Sequence, residues 1–144
     1  MKIAVGSDHG GLSIKATVHE ALVAMGHDVI DMGTHSTDSV DYPDIAKTVA
    51  QAVSAGEVTR AVLVCGTGLG MSIAANKVAG VRAAVVTDTF SAQMACEHNN
   101  ANILCLGERV VGKGLALALL DAWMNAEFGG GRHDRRVGKI NALD

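Results

Sequence analysis

The sequence has little proline and little cysteine, and it lacks a long apolar run. Its 144 residues include one proline, three cysteines and 17 glycines. Three is an odd number of cysteines, so a disulfide framework is a poor explanation, and a reducing cytoplasm is the natural compartment. The apolar stretch at residues 1–6 is too short for a signal peptide or a membrane-spanning helix. We therefore expect a cytoplasmic protein that does not bind a membrane.

An excess of positive charge is also absent. The formal net charge is −3 and the sequence pI is near 6.0, which argues against a protein that binds nucleic acid or anionic membranes in general. Hydrophobic residues make up 49% of the chain, which argues against disorder. The length suits a single core, so we expect residues 1–144 to form one domain.

Short apolar strands alternate with helical patterns. We predict strands at residues 2–7, 27–32, 60–65, 81–87 and 101–106. Pro43 suits the first turn of a helix, and Gly26 and Gly56 suit helix ends. A helix at 113–126 is apolar on more than one face, so it either packs deeply or also lines a subunit interface. This alternation predicts an α/β fold, with a parallel sheet covered by helices on both sides.

In such sheets, ligands bind beyond the carboxyl ends of the strands, and polar residues collect there in this sequence. They are Asp8 and His9 after the first strand, Tyr42 in the loop after the second, Cys65 and Gly66 to Gly70 at the third, Asp88 after the fourth and Arg109 after the fifth.

The glycine-rich stretch Gly66-Thr67-Gly68-Leu69-Gly70 directs backbone N–H groups towards one place at the start of a predicted helix. Such a place holds an anion or a developing oxyanion, although the glycines can also serve only a tight turn. No Gly-Lys-Ser/Thr follows, so the stretch is not a P-loop. Its G-x-G-x-G spacing is not a dinucleotide fingerprint, but together with Asp88 it leaves a nucleotide- or flavin-binding module open as an alternative.

Cys65 is predicted at the last position of a buried strand, facing this turn. A thiolate there would be stabilised and could act as a base, whereas composition alone favours a buried structural cysteine. Both interpretations stay open, while Cys96 and Cys105 fall inside predicted elements and are expected to be structural.

The histidines lack the spacing of a zinc site. His98 and Asn99 end a predicted helix, and we expect them near the same edge as Cys65. The tail from residue 129 is polar and basic; Arg132 and Arg136 share a face if it is helical and could clamp a phosphate, although such runs are usually solvated. His133 and the remaining histidines are expected at the surface.

Six segments together resemble the family of ribose-5-phosphate isomerase B and galactose-6-phosphate isomerase. They occur in family order across nearly the whole chain: Ser7-Asp8-His9-Gly10-Gly11, Asp41-Tyr42-Pro43, Cys65-Gly66-Thr67-Gly68 with the following Ser72 to Lys77, His98-Asn99-Asn100, Gly107 to Gly112, and Gly130-Gly131-Arg132-His133. Each segment alone is weak, but the set is specific.

The resemblance implies a three-layer α/β/α sandwich with a five-stranded, Rossmann-like parallel sheet. It implies a homodimer or dimer of dimers with active sites shared between subunits, and neither a metal nor a nucleotide cofactor. His98, Asn99 and Arg109 would face the partner's site, and residues 129–144 would complete the phosphate site.

The resemblance also implies roles for individual residues. Cys65 would be the base that moves a proton between C1 and C2, with Thr67 and His98 assisting ring opening and Asp8 near the sugar hydroxyls. The phosphate would be held by His9, Arg109, Arg132 and Arg136. The sugar would contact Asn99, Tyr42 and Asp8, and the N–H groups of Gly66, Thr67, Gly68, Leu69 and Gly70 would stabilise the enediolate. Some members instead use a glutamate base at the position of Met71, so this chain follows the cysteine subgroup.

These roles predict an aldose–ketose isomerase that interconverts ribose 5-phosphate and ribulose 5-phosphate through a cis-enediolate. An allose, galactose or tetrose phosphate would undergo the same chemistry. A catalytically silent subunit of a paired isomerase is a further alternative, against which the presence of Cys65, His98 and both tail arginines argues.

Overall fold

A computed structural model describes residues 1–144 and contains one five-stranded, all-parallel sheet with the strand order β2-β1-β3-β5-β4. The strands are β1 (Lys2–Ser7), β2 (Asp28–Asp31), β3 (Arg60–Cys65), β4 (Ala83–Val85) and β5 (Ile103–Gly107). The central strand β3 is buried on both faces, which explains its unbroken apolar run.

Six α-helices cover the two faces of the sheet or lie at its end. They are α1 (Leu12–Ala24), α2 (Tyr42–Ser54), α3 (Leu69–Ala75), α4 (Thr89–Glu97), α5 (Lys113–Asn125) and α6 (Arg132–Asn141). Apolar residues of α1, α4 and α5 form a core with one face of the sheet, and those of α2 and α3 form a core with the other. The predicted three-layer, Rossmann-like α/β/α sandwich is therefore confirmed.

Several predicted element boundaries also hold. Pro43 lies in the first turn of α2, and Gly26 and Gly56 follow α1 and α2 with φ angles of 86° and 73°. One face of α5 is buried against the sheet, and Leu115 and Leu117 on its outer side are partly exposed. All five strands begin and end within two residues of the predicted positions.

The edge strand β4 is two residues shorter at each end than the predicted strand at 81–87, and two asparagine side chains bind the backbone at its amino end. The Asn76 side chain donates to Ala83 O at 2.9 Å and accepts from Ala83 N at 2.8 Å. Just before the strand, Arg82 N donates to the Asn102 side chain at 2.8 Å. Asn76 thus takes the place of a neighbouring strand at Ala83.

The tail forms a helix, α6, along the amino edge of the sheet, where the strands begin. Gly129 N donates to Glu97 O at 2.9 Å near its start, and Asn141 accepts from Arg82 at 3.0 Å near its end. Beside it, Arg60 lies 4.8 Å from the centre of the Trp123 ring, and the indole N–H donates to Ala101 O. None of these helices combines the length and apolarity needed to cross a membrane.

Candidate active site

Three turns meet at the carboxyl edge of the sheet, around Gly66. A Cβ built on Gly10 would lie 3.3 Å from Asp8 Oδ1 and 3.5 Å from Gly66 N, and one built on Gly66 would lie 3.4 Å from Arg109 Nη1. Asp8 is almost fully buried, and its carboxylate accepts from Gly10 N at 2.9 Å. Asp8, Cys65 and Arg109 therefore belong to one site within a single chain.

Cys65 ends β3 at this place, and its Sγ accepts a hydrogen bond from Gly68 N at 3.1 Å. An N–H directed at sulfur stabilises a thiolate. Cys105 lies on the same face of the neighbouring strand, and burial together with nearby Cys65 raises the pKa of its thiol far above the ordinary value. Of these two thiols, Cys65 is therefore the candidate base at this edge.

Each glycine of the turn after Cys65 has a geometric reason. Gly68 adopts a φ of 78°, and a Cβ there would meet Leu106 backbone at 3.0 Å. A Cβ on Gly70 would lie 2.6 Å from the ring of Tyr42, so this ring packs directly on the turn. The tight-turn interpretation thus fits Gly68, whose N–H also reaches Cys65, whereas Gly70 lies in α3 and leaves room for the Tyr42 ring. Leu69 and Thr67 are exposed on the outer side of the turn.

His9 is oriented by the loop that follows β2. Val40 N donates to His9 Nδ1 at 3.2 Å, so the neutral ring carries its proton on Nε2. The Nε2–H group is then free to donate to a bound anion. Val40 was not singled out from the sequence, because a backbone donor in a loop leaves no trace in residue type.

The prediction that His98 and Asn99 lie near the same edge as Cys65 is wrong. Helix α4 starts beyond the carboxyl end of β4 and runs antiparallel to the strands, so its last residues reach the amino end of β5. The five residues of β5 alone span roughly 16 Å. His98 and Asn99 therefore cannot meet Cys65 of the same chain.

Arg132 and Arg136 lie at the amino edge as well, because α5 also runs antiparallel to the strands and delivers the tail there. They cannot complete a phosphate site with Cys65 of their own chain. Arg109, which by the resemblance faces a partner's site, contacts Gly66 of its own chain. The two salt bridges of the structure both involve Asp31, so Arg109, Arg132 and Arg136 have no carboxylate partner.

His133 was expected at the surface but stacks on His98. The ring centroids are 4.3 Å apart and the planes differ by 13°. Desolvation, the neighbouring His98 and the charges of Arg132 and Arg136 lower the pKa of His133. Its place beside Arg132 in the motif Gly130-Gly131-Arg132-His133 is the sequence feature that could have drawn attention to it.

Asp88 has a structural role that accounts for its position. Its carboxylate caps α4 by accepting from Ser91 N at 2.7 Å and from the Ser91 hydroxyl at 2.8 Å. These hydrogen bonds lower the pKa of Asp88. The carboxylate that a nucleotide's ribose would need is thus already engaged, which removes the main support for the nucleotide-binding alternative.

Comparison with known proteins agrees with this geometry. Residues 3–140 match the family model described as Ribose/Galactose Isomerase. The chain is similar to ribose-5-phosphate isomerase B of Escherichia coli, with 50% identity over 99% of this chain and 96% of that protein. It is also similar to D-erythrulose-4-phosphate isomerase of Pectobacterium atrosepticum, with 44% identity over 97% of this chain and 93% of that one.

Solved structures show the same likeness. Ribose-5-phosphate isomerase B of Clostridium thermocellum superimposes with a TM-score of 0.98 and 58% identity, covering 99% of this chain and 97% of that one. The Mycoplasma genitalium ribose-5-phosphate isomerase B with bound ribulose 5-phosphate gives a TM-score of 0.94 and 41% identity, covering 99% and 95%.

Proposed function

Because this chain belongs to the ribose/galactose isomerase family, we propose that it interconverts ribose 5-phosphate and ribulose 5-phosphate. The observation that carries the proposal is Cys65 at the carboxyl end of β3, with Gly68 N–H on its sulfur and Asp8 and Arg109 beside the same turn. The chain is an isomerase by its family, and this arrangement supplies the parts that enolisation needs.

The reaction needs one base and a stabilised oxyanion. The Cys65 thiolate takes the proton from C2 of the open-chain aldose, which leaves an enediolate. The thiol then returns the proton to C1 while the hydroxyl proton at C2 moves to the C1 oxygen, and the ketose results. The developing oxyanion is stabilised by backbone N–H groups of the stretch Gly66 to Gly70 other than those of Gly68 and Leu69, which donate to Cys65 Sγ and Thr67 Oγ1. Thr67 and His98 assist ring opening, with Asp8 near the sugar hydroxyls.

Remote phosphate contacts orient the reacting carbons. His9 donates from Nε2, Arg109 lies over Gly66, and Arg132 and Arg136 add two more unpaired guanidinium groups. Tyr42 lines the pocket, and Asn99 contacts the sugar. Cys65 must stay a free thiol in this mechanism, as it is in the structure, so we place the protein in the reducing cytoplasm.

We further propose that two copies build each site. His98, Asn99, Arg132 and Arg136 lie at the amino edge of the sheet, and Cys65 lies at the carboxyl edge, so one chain alone cannot unite them. Large apolar side chains are exposed near the carboxyl edge: Leu69 at 54%, Ile73 at 63%, Phe90 at 71% and Val110 at 54%. The amino edge of a second copy would cover this surface and bring in the missing groups.

Deuterium exchange tests the proposed reaction. The protein is incubated with ribose 5-phosphate in D₂O, and ribulose 5-phosphate carrying deuterium at C1 is expected. Absence of product would contradict the proposed reaction. Product without deuterium, under conditions in which the thiol proton exchanges with solvent, would contradict proton transfer by an accessible base.

A tetrose phosphate is the second candidate substrate, because a 44% identical relative bears the name D-erythrulose-4-phosphate isomerase. Comparing kcat/KM for phosphorylated aldoses of four, five and six carbons decides between them. We expect the pentose phosphate to have the highest kcat/KM. A kcat/KM that is orders of magnitude higher for a tetrose or hexose phosphate would overturn the pentose assignment.

A further inference from the structure

The turn between β5 and α5 contacts two parts of the carboxyl edge at once, through Glu108. Its backbone N–H donates to Cys65 O at 2.9 Å. Its carboxylate accepts from Ile14 N at 2.9 Å, a residue 94 positions away in the chain. Glu108 therefore joins the turn after Cys65 to the first turn of α1.

Helix α1 needs this contact because it begins without a capping side chain of its own. Its N-cap residue is Gly11, and a Cβ there would lie 2.6 Å from Val64 O. Serine, threonine, asparagine and aspartate are thus excluded from the position that they usually fill. The free N–H groups at a helix start favour an anion. The carboxylate of Glu108 supplies this anion from the turn after β5, which is two strands away from β1 in the sheet.

The segment directly before α1 carries two residues of the proposed site. Asp8 caps the single 3₁₀ turn His9–Gly11, which begins with His9 and runs into α1. Arg109 follows Glu108, and its backbone N–H donates to Gly66 O at 3.0 Å. A shift of the α1 start relative to the β5–α5 turn would therefore move Asp8 and His9 relative to Arg109 and Cys65.

The geometry points to Glu108 as a positioning residue of the isomerase reaction. Its carboxylate holds the start of α1, and with it Asp8 and His9, in register with Arg109 and the Cys65 turn. This role rests on the proposed isomerase function, and Glu108 itself does not touch the substrate.

The test compares Glu108→Ala, Glu108→Gln and Leu22→Ala with the unchanged protein. Leu22 is fully buried near the other end of α1, so its truncation destabilises the same helix without touching the cap. For Glu108→Ala we expect kcat/KM for ribose 5-phosphate to fall by about ten- to a hundredfold, with KM raised and kcat lowered, as for misplaced reacting groups. Glu108→Gln keeps an acceptor of the same shape and should recover part of the loss.

Leu22→Ala should keep near-normal kinetics per folded molecule despite a lower stability. Amide hydrogen exchange around residues 8–14 should be faster in Glu108→Ala than in Leu22→Ala. Equal kinetics per folded molecule in these two variants, or unchanged exchange at residues 8–14, would overturn the role of Glu108. An inactive unchanged protein would instead contradict the proposed function, and the exchange measurement would still test the contact. If Glu108→Ala does not fold, Glu108→Gln takes its place, since full activity in that variant would refute a need for the charge.

Discussion

The three cysteines differ in what surrounds their sulfur atoms. Cys65 ends a strand at the site and accepts from Gly68 N, Cys105 lies fully buried behind it, and Cys96 packs between Arg60 and the carbonyl of Ala126. Composition alone could not separate them, because buried cysteine is usually structural. The neighbouring glycine turn and the family motif were needed to choose Cys65.

Replacing Cys65 tests this choice. We expect Cys65→Ala to fold and to lose ~10²–10⁴-fold or more in kcat, because the positioned base is gone. Cys65→Ser should be nearly as poor, since a hydroxyl is a much weaker acid than a thiol. Stopped-flow turnover with circular dichroism checks both variants, and Cys105→Ala serves as the matched control. Normal turnover per folded Cys65→Ala molecule would remove Cys65 from the mechanism.

His133 gives a prediction about pH. Its pKa is lowered in the folded protein, chiefly by desolvation and then by His98 and the arginines, so the unfolded chain binds the proton more tightly. The free energy of unfolding should therefore fall as the pH drops through the ordinary histidine range. In His133→Asn this part of the pH dependence should disappear. Urea unfolding at several pH values compares the two proteins, and parallel curves would contradict the expectation.

At the scale of elements, strand–helix alternation and helix punctuation were predictable because they depend on local residue spacing. The edge strand β4 was predicted two residues too long at each end, and the contacts of Asn76 and Asn102 from other segments with its amino end depend on the tertiary structure. The prediction for His98 is wrong because a helix end can lie at either edge of the sheet. Helix α4 runs antiparallel to the strands and brings His98 to the amino edge.

The closed edge of β4 is testable through Asn76. We expect Asn76→Ala to lower the free energy of unfolding by about 1–2 kcal/mol, because two hydrogen bonds to Ala83 are lost. The variant should also associate more readily through the opened strand edge. Denaturant unfolding and light scattering measure these effects, and exposed Lys77→Ala is the neighbouring control. Identical behaviour of the two variants would show that Asn76 does not protect the edge.

The arginines of helix α6 lie on different faces of the helix. Arg132 and Arg136 lie on one face, four residues apart, whereas Arg135 points elsewhere. We expect Arg136→Ala to raise KM for ribose 5-phosphate strongly and to lower kcat, because remote phosphate binding orients the reacting carbons. Arg135→Ala should matter far less. Steady-state kinetics of both variants provide the check. Equal effects would show that the arginines of α6 act only through their positive charge and not through a specific phosphate contact.

At the scale of the whole molecule, the division of the site between opposite edges predicts that two impaired variants restore activity when their subunits are mixed. Cys65→Ala and Arg136→Ala subunits are mixed under conditions that exchange partners. Half of randomly paired dimers are then mixed, and each has one site with both residues intact. Activity should therefore return to about one quarter of the unchanged protein. Activity that stays at the level of the separate variants would contradict the shared site.

The single tryptophan of the chain lies in the half of the molecule that carries His98 and α6. Trp123 is fully buried, with Arg60 over its ring and its N–H on Ala101 O. Its fluorescence therefore reports on one place, without a background from other tryptophans. Because Trp123 is buried away from water, its emission should shift to longer wavelength when water enters. Trp123 is therefore an intrinsic fluorescent probe of the amino edge, and no added dye is required.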